Sequence, residues 1–306
     1  MLAGGRILEL EKLSITRRFT GSLTLPVNFS LYLKIMKTIP MTIGFQKEWE
    51  FFFNKHPLWP DKYKRLTSTL TKIFIREITP INKAEKVIFH LGRLCVEDFN
   101  EIFLLCGNGY GIGGLKILRG LYERVVTLGY IVDNPTQAEP FLEYHHIHKG
   151  KMLIHAEKFS ELIKDIDPAE LVAAKENYKI YKDKFQEIAC EKCKTKRTMF
   201  SWSKLDTLSM AQKIGLDGLY FPGFFYPTLQ THATPTSLMT RVNVGENGNG
   251  SFDEGAQHEW ASKALITAHN LMIYVLLMQN TYFKLNMDSE IEERKDDFQE
   301  MWANKE

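Results

Sequence analysis

The sequence predicts an all-α protein, an antiparallel multi-helix bundle with a buried central helix around residues 112–132. Residues 107–132 form the most apolar long run in the first half of the chain. From Ile112 onward, the apolar side chains of this run point in most directions around a helix, because successive residues turn by about 100°. A helix that is apolar on nearly all sides belongs in the middle of a bundle. No series of alternating short strands follows, which argues against a parallel sheet.

Length and composition indicate a globular protein. The chain has 306 residues, of which 44% are hydrophobic and 25% are charged. This length predicts one large domain or a domain with appendages. The net charge of +2 does not demand a polyanionic partner. Four cysteines are too few for a disulfide framework in a chain of this length, so we expect a reducing cytoplasm.

No segment of the sequence predicts a membrane partner. The longest late apolar run, residues 271–278, has only eight residues, whereas a membrane-spanning helix needs about 20. Glu9 and Glu11 interrupt the stretch in which a signal peptide would be apolar.

The chain divides into three regions that differ in their sequence pattern. Residues 1–44 show no persistent period, and Met36 and Met41 are candidate start sites. We predict a poorly ordered N-terminal arm there, or an artefact of the assigned gene start. Residues 45–286 are predicted to form a single helical domain, and residues 287–306 a charged C-terminal tail.

Breakers and caps divide the domain into helices. Asp61 and Asn82 are expected to cap helices that run to about residue 78 and over residues 83–105. Pro135 ends the central helix, and Asp167 with Pro168 opens another. Further helices are expected over residues 46–54, 137–164, 169–188, 204–214 and 256–285, with an irregular turn at 215–223 and a flexible loop at 244–255.

Two patterns lie in the central stretch. Arg119 and Glu123 are four residues apart and share a helix face. They form either a surface pair at the edge of a polar strip or a partly buried couple that needs partners. Gly109, Gly111 and Gly114 spell the GxGxxG of a dinucleotide site. Because the surrounding strands are missing, we interpret these glycines as a helix-to-helix turn and a close helix contact.

Two clusters raise the question of a metal. His145, His148 and His155 lie on one predicted helix near Glu143, but no HExxH pattern is present. A solvated polar face is the alternative interpretation. Cys190 and Cys193 form a single CxxC, which without a second pair is a weak zinc signal and otherwise an exposed pair of thiols.

The second informative stretch is residues 224–235, FFYPTLQTHATP. Aromatic residues, including Tyr226, crowd around one histidine, His232. Histidine titrates near neutrality and is the commonest general acid or base. The alternative interpretation is that His232 has a structural role, as a core histidine that is hydrogen-bonded to a backbone carbonyl.

Three segments together, residues 115–130, 200–202 and 220–235, resemble an uncharacterised bacterial helical family catalogued as domain of unknown function 5677. The resemblance covers residues 84–283. It implies that the family's characteristic positions are Arg119, Glu123, Trp202, Tyr220, Tyr226 and His232. The family's architecture is similar to that of HEPN ribonuclease-like bundles of bacterial defence and toxin systems. Those nucleases carry Arg and His four to six residues apart, so here Arg119 and His232 would have to meet in space.

Three functions follow as hypotheses. The first is a metal-independent ribonuclease with RNA as partner and no cofactor; its catalytic residues would be Arg119, Glu123 and His232, and its substrate-binding residues would be Tyr122, Trp202, Tyr220 and Tyr226. The second is a non-catalytic helical interaction module, which would include a homo-oligomer. The third is a metal-dependent hydrolase that uses the histidine-rich helix.

Overall fold

The computed structural model describes residues 46–302, with gaps at 78–81, 159–163, 165, 245–248 and 254. The described residues fold mainly into helices, which confirms the all-α prediction. These helices are α1 (Gln46–Lys55), α2 (Trp59–Phe74), α3 (Lys83–Gly107), α4 (Gly111–Asp133), α5 (Ala138–Ala156), α6 (Pro168–Lys182), α7 (Thr207–Lys213), α8 (Tyr226–Thr231), α9 (Pro235–Met239), α10 (His258–Phe283) and α11 (Asp288–Trp302). The arm predicted for residues 1–44 lies outside the described residues.

Three long helices, α3, α4 and α10, pack against one another and form the centre of the bundle. The buried face of α4 includes Leu118, Leu121, Val125 and Leu128, all with no exposed surface. The predicted central helix is therefore confirmed. Removing such side chains from water is the main favourable contribution to folding.

The glycines before and within α4 allow tight packing. Gly109 has a φ of 80° and turns the chain between α3 and α4, a conformation that glycine adopts without strain. A Cβ on Gly111 would lie 2.3 Å from the Ala261 backbone nitrogen, and one on Gly114 would lie 2.6 Å from Cys106 Sγ. The interpretation of these glycines as a turn and a close helix contact is confirmed.

Local capping explains where several helices begin. Asn82 Oδ1 accepts a hydrogen bond from the Glu85 backbone N–H at 2.9 Å, as predicted for the start of α3. Asp167 caps α6 in the same way through the Ala169 N–H. Asp61 is not a cap, which corrects the prediction: α2 begins at Trp59, and Asp61 lies in its first turn. An acidic residue there still interacts favourably with the helix dipole.

Two small hairpins interrupt the helices. The helix predicted over residues 169–188 ends at Lys182, and β1 (Gln186–Cys190) pairs antiparallel with β2 (Thr195–Thr198). At the expected loop 244–255, β3 (Val242–Val244) ends where the loop begins and pairs with β4 (Gly250–Phe252) inside it. Short hairpins are hard to recognise in sequence because they have few residues in which to show an alternating pattern.

The segment that the sequence presents as a charged tail contains α11, which packs on the bundle. Ile291 is fully buried, and the Trp302 indole N–H donates to His269 Nδ1 at 3.1 Å. The charges of α11 lie partly inside this contact, where Lys62 pairs with Asp297 at 2.7 Å. Because charged residues of α11 take part in this contact, its buried side does not appear as an apolar pattern in the sequence.

Helix α10 is long and apolar enough to cross a membrane when judged by length and composition alone. In the structure it contacts α3 and α4, and most of its apolar residues are buried there. A buried core helix and a membrane-spanning helix cannot be distinguished by length and apolar composition alone.

Candidate functional site

Arg119 of α4 is held in one position by residues from α8 and from the turn before it. Its Nε–H donates to Thr228 Oγ1 at 3.0 Å, and the Thr228 hydroxyl donates to the Phe224 carbonyl at 2.7 Å. The guanidinium carbon lies 5.2 Å from the centre of the Phe224 ring, within the range of a cation–π contact. About a quarter of the side chain, 28%, stays exposed to solvent. The arginine is thus fixed but accessible.

Glu123 lies one turn after Arg119 and forms a loose ion pair with it. The distance from Glu123 Oε1 to the nearest Arg119 Nη is 3.4 Å, and 39% of the glutamate side chain is exposed. Burial raises the pKa of the Glu123 carboxyl, although Arg119 and Arg124 act in the opposite direction. The placement supports a partly buried couple, in which burial and the neighbouring arginines act on the carboxyl group in opposite directions.

A π-helical turn, Phe221–Phe225, connects this site to the centre of the bundle. A Cβ on Gly223 would lie 2.7 Å from Cδ2 of the Tyr122 ring, so glycine allows the turn to lie against α4. The Tyr122 hydroxyl donates to the Leu216 carbonyl at 3.0 Å. Such π-turns are rare in proteins, and those that do occur are often found at functional sites.

Tyr122, predicted to bind substrate, is fully buried. Burial also raises the pKa of its hydroxyl, which is already engaged with Leu216. We therefore assign Tyr122 to the support of the π-turn rather than to substrate contact. Tyr220 is half-buried beside it, with its ring 6.2 Å from that of Tyr122 and 5.2 Å from that of Phe224.

A continuous row of aromatic rings, which we call the aromatic platform, starts at the exposed face of the π-turn. Its members are Phe225, Phe221, Tyr226 and Trp260. The successive ring centroids are 5.9 Å, 6.5 Å and 4.9 Å apart. Phe221 and Phe225 are 63% and 46% exposed. The Lys263 ammonium lies 4.5 Å from the Trp260 ring and places a positive charge at the end of the row.

His232 is exposed and follows the last residue of α8. Its backbone N–H donates to the Thr228 carbonyl at 3.2 Å, so His232 lies one turn after the residue that holds Arg119. Residues one turn apart in a helix are about 5–6 Å apart at Cβ. Within the described part of the chain, no hydrogen bond or ion pair joins the His232 imidazole to Arg119 or Glu123.

Trp202 is not near Arg119. Its ring contacts Phe141 at 5.4 Å and Tyr130 at 6.1 Å, near the other end of α4. Eleven residues of helix separate Tyr130 from Arg119, or about 16 Å of rise. Trp202 packs against a second cluster, which contains Tyr144, Ile147, Phe185 and Met199.

The sequence matches one family over the part of the chain that contains these residues. Residues 85–251 match the family of unknown function DUF5677. The chain belongs to this DUF5677 family. No curated protein and no solved structure matches it significantly. The similarity to HEPN bundles is accordingly not confirmed.

The DUF5677 match includes Arg119, Glu123, Trp202, Tyr220 and His232, and it ends before Trp260 and Lys263. The aromatic platform therefore combines residues inside the matched region with residues of α10 beyond it.

The histidines of α5 do not form a metal centre in the structure. His145, His148 and His155 are exposed, and Glu143 pairs with Lys184. Among the residues that the structure describes, no three His, Cys, Asp or Glu side chains are grouped so that they could hold a metal ion. The described residues therefore provide no ligand group for the metal-dependent hydrolase hypothesis.

Sequence reasoning missed Thr228, Phe224, Trp260 and Lys263. Thr228 lies 109 residues from Arg119, and nothing in its local sequence identifies its partner. The irregular turn predicted at residues 215–223 overlaps the π-turn, but its π-helical form was not predicted.

Proposed function

We propose that this DUF5677 chain binds single-stranded RNA at the Arg119 site and cleaves it without a metal ion. The observation that carries the proposal is Arg119 itself. The guanidinium is positioned by Thr228 and Phe224, remains accessible, and lies beside a carboxyl group with a raised pKa. A fixed cation suits the developing charge of a phosphodiester undergoing cleavage.

The aromatic platform supports unpaired RNA as the substrate. Exposed aromatic rings can stack on bases that are splayed from a single strand, and such stacking tolerates any base. Lys263, which lies over Trp260 and pairs with Glu259 at 2.5 Å, and Arg119, which lies over Phe224, are the cations that would meet the phosphate backbone. A local pair of cations is compatible with the small net charge of the whole chain.

The proposed reaction is an internal phosphoryl transfer. His232 removes the proton from a ribose 2′-hydroxyl, and the 2′-oxygen forms a bond to the adjacent phosphorus. The bond from phosphorus to the 5′-oxygen breaks, and solvent supplies the proton to that leaving oxygen. Glu123 orients Arg119 through their ion pair. Arg119 stabilises the charge on the phosphoryl oxygens. The products are a 2′,3′-cyclic phosphate and a free 5′-hydroxyl.

A second candidate is a non-catalytic RNA-binding module. It is favoured by the contacts of Arg119, whose donors already meet Thr228 and Glu123, and by the lack of any described contact between His232 and that pair. In this case Arg119 would fasten α8 to α4, and function would lie in the aromatic platform alone.

Incubation of the purified protein with labelled single-stranded RNA, with and without excess chelator, separates the two candidates. We expect cleavage in both conditions, a cyclic phosphate in the product, and no cleavage of RNA that carries 2′-deoxyribose at the cut site. His232→Ala should remove activity. His145→Ala, a change at a histidine of α5 that is also exposed, should not.

Circular dichroism should first show that both variants are folded. Binding without cleavage by wild type would overturn the ribonuclease proposal in favour of the binding module. Cleavage by folded His232→Ala at the wild-type rate would remove His232 from the mechanism.

A further inference from the structure

The hairpin β1–β2 carries two cysteines at its tip. The turn 191–194 joins the strands, Cys190 is the last residue of β1, and Cys190 is paired with Thr195 across the hairpin. Lys194 has a φ of 53°, which closes the turn in the left-handed region. Residues three apart in a tight turn have Cα atoms within about 7 Å. That separation includes the range that a disulfide spans.

The two thiols are accessible and adjacent. Cys190 is half-buried and Cys193 is exposed. Cys193 Sγ lies 2.8 Å from Thr195 Oγ1. Hydrogen bonds from Thr195 first, and then from Cys190, lower the pKa of the Cys193 thiol to about 7. Glu191 pairs with Lys194 at 2.8 Å, and Lys192 leaves the turn with one net positive charge.

The other two cysteines provide a contrast within the same chain. Cys95 and Cys106 are buried in α3. Burial raises the pKa of both thiols well above the ordinary value. Thiolates, not thiols, are the nucleophiles in thiol–disulfide exchange, so these two cysteines serve as internal references.

We propose that Cys193 and Cys190 form a reactive dithiol that low-molecular-weight disulfides, such as oxidised glutathione, convert reversibly into an intrachain disulfide. The Cys193 thiolate attacks one sulfur of the small disulfide, forms a mixed disulfide and releases one thiolate. Cys190 then loses its proton to solvent and attacks the Cys193 sulfur, and the second small thiolate leaves. Two electrons pass from the protein to the small disulfide, and reduced dithiol returns by the reverse reaction.

The test treats the full chain with oxidised glutathione near neutral pH and traps the remaining thiols with an alkylating reagent. We expect the peptide that contains both Cys190 and Cys193 to lose two hydrogen atoms and to be restored by a reductant. Cys95 and Cys106 should stay reduced. Cys190→Ser should instead accumulate a glutathione adduct on Cys193, because the second step is removed.

The dependence of alkylation rate on pH tests the role of the hydrogen bonds. The Cys193 rate should have its midpoint near pH 7, and Thr195→Val should raise that midpoint by about one pH unit. Two results would overturn the proposal. One is oxidation of Cys190 and Cys193 no faster than that of the buried cysteines; the other is a stable glutathione adduct on wild-type Cys193 with no internal disulfide.

Discussion

Two polar regions of this protein look equally functional in the sequence, but their side chains have different surroundings in the structure. On α4, Arg119 is fixed by Thr228 and Phe224 from another part of the chain. On α5, His145, His148 and His155 are exposed. His146 stacks on Tyr181 with the ring centroids 4.5 Å apart, but no described group of ligands forms around these histidines.

The difference shows that a cluster of functional residue types is not sufficient for a site. The exposed histidines of α5 spread around the helix axis, and the ring contacts of His145 and His148 are with residues of the same helix. Arg119 lies on a helix that other elements surround, and those elements supply partners that restrict its rotamers. Preorganisation, rather than residue type, distinguishes the two regions.

The largest expected effect is on the preorganised side. Arg119→Ala should reduce RNA cleavage by roughly 100-fold or more, the loss typical of a removed transition-state donor. Arg119→Lys should recover only part of this activity, since a lysine keeps the charge but lacks the Nε–H and the flat face. Cleavage rates of folded variants measure both effects. Equal rates for wild type and Arg119→Ala would place the chemistry elsewhere.

A change at Gly223 should disturb the support of the site. The new methyl group of Gly223→Ala would meet the buried Tyr122 ring, and we expect a loss of about 1–3 kcal/mol in the free energy of unfolding. Gly218→Ala is the matched control, because no atom lies within 4 Å of the position of its Cβ. Chemical denaturation of the two variants would contradict the packing account if both lost equal stability.

Thr228→Val should have a smaller effect that is specific to Arg119. The substitution removes the acceptor for Arg119 Nε and keeps the shape of the side chain. We expect about a tenfold loss of RNA affinity, or about 1.4 kcal/mol. Thr231→Val is the control, since Thr231 makes the same kind of bond to its own helix, to the Pro227 carbonyl, without touching Arg119. Similar losses in the two variants would mean that α8 stability, not Arg119, is what changed.

The features predicted correctly from sequence are local. The apolar periodicity of α4, the Asn82 cap and the four-residue spacing of Arg119 and Glu123 all depend on residues within one or two turns of each other. The contact of Arg119 with Thr228 joins residues 109 apart. The π-turn depends on close packing of Gly223 against Tyr122. Sequence periodicity carries neither kind of information.

The smallest effect concerns the Glu123 carboxyl and depends on pH. Its raised pKa means that the folded state binds this proton more tightly than the unfolded chain does. Stability from this group therefore falls as pH rises through the window between the ordinary value of 4.5 and the raised one. Glu123→Gln should gain slightly in melting temperature relative to wild type as pH rises from about 4 to about 8.

The gain should be small because part of the Glu123 side chain is exposed to solvent. Thermal melts of both proteins across this pH range would measure it. A variant that became less stable than wild type with rising pH would show that Arg119 stabilises the charged form more than burial opposes it.

The most direct test of the account compares the two polar regions in one binding experiment. Fluorescence anisotropy with a labelled 2′-deoxy oligonucleotide, which cannot be cleaved through the proposed route, measures affinity alone. We predict that Arg119→Ala weakens binding at least about tenfold, whereas a variant with both His145→Ala and His148→Ala stays within about twofold of wild type. The opposite order, or equal affinities for wild type and Arg119→Ala, would contradict the assignment of function to the Arg119 site.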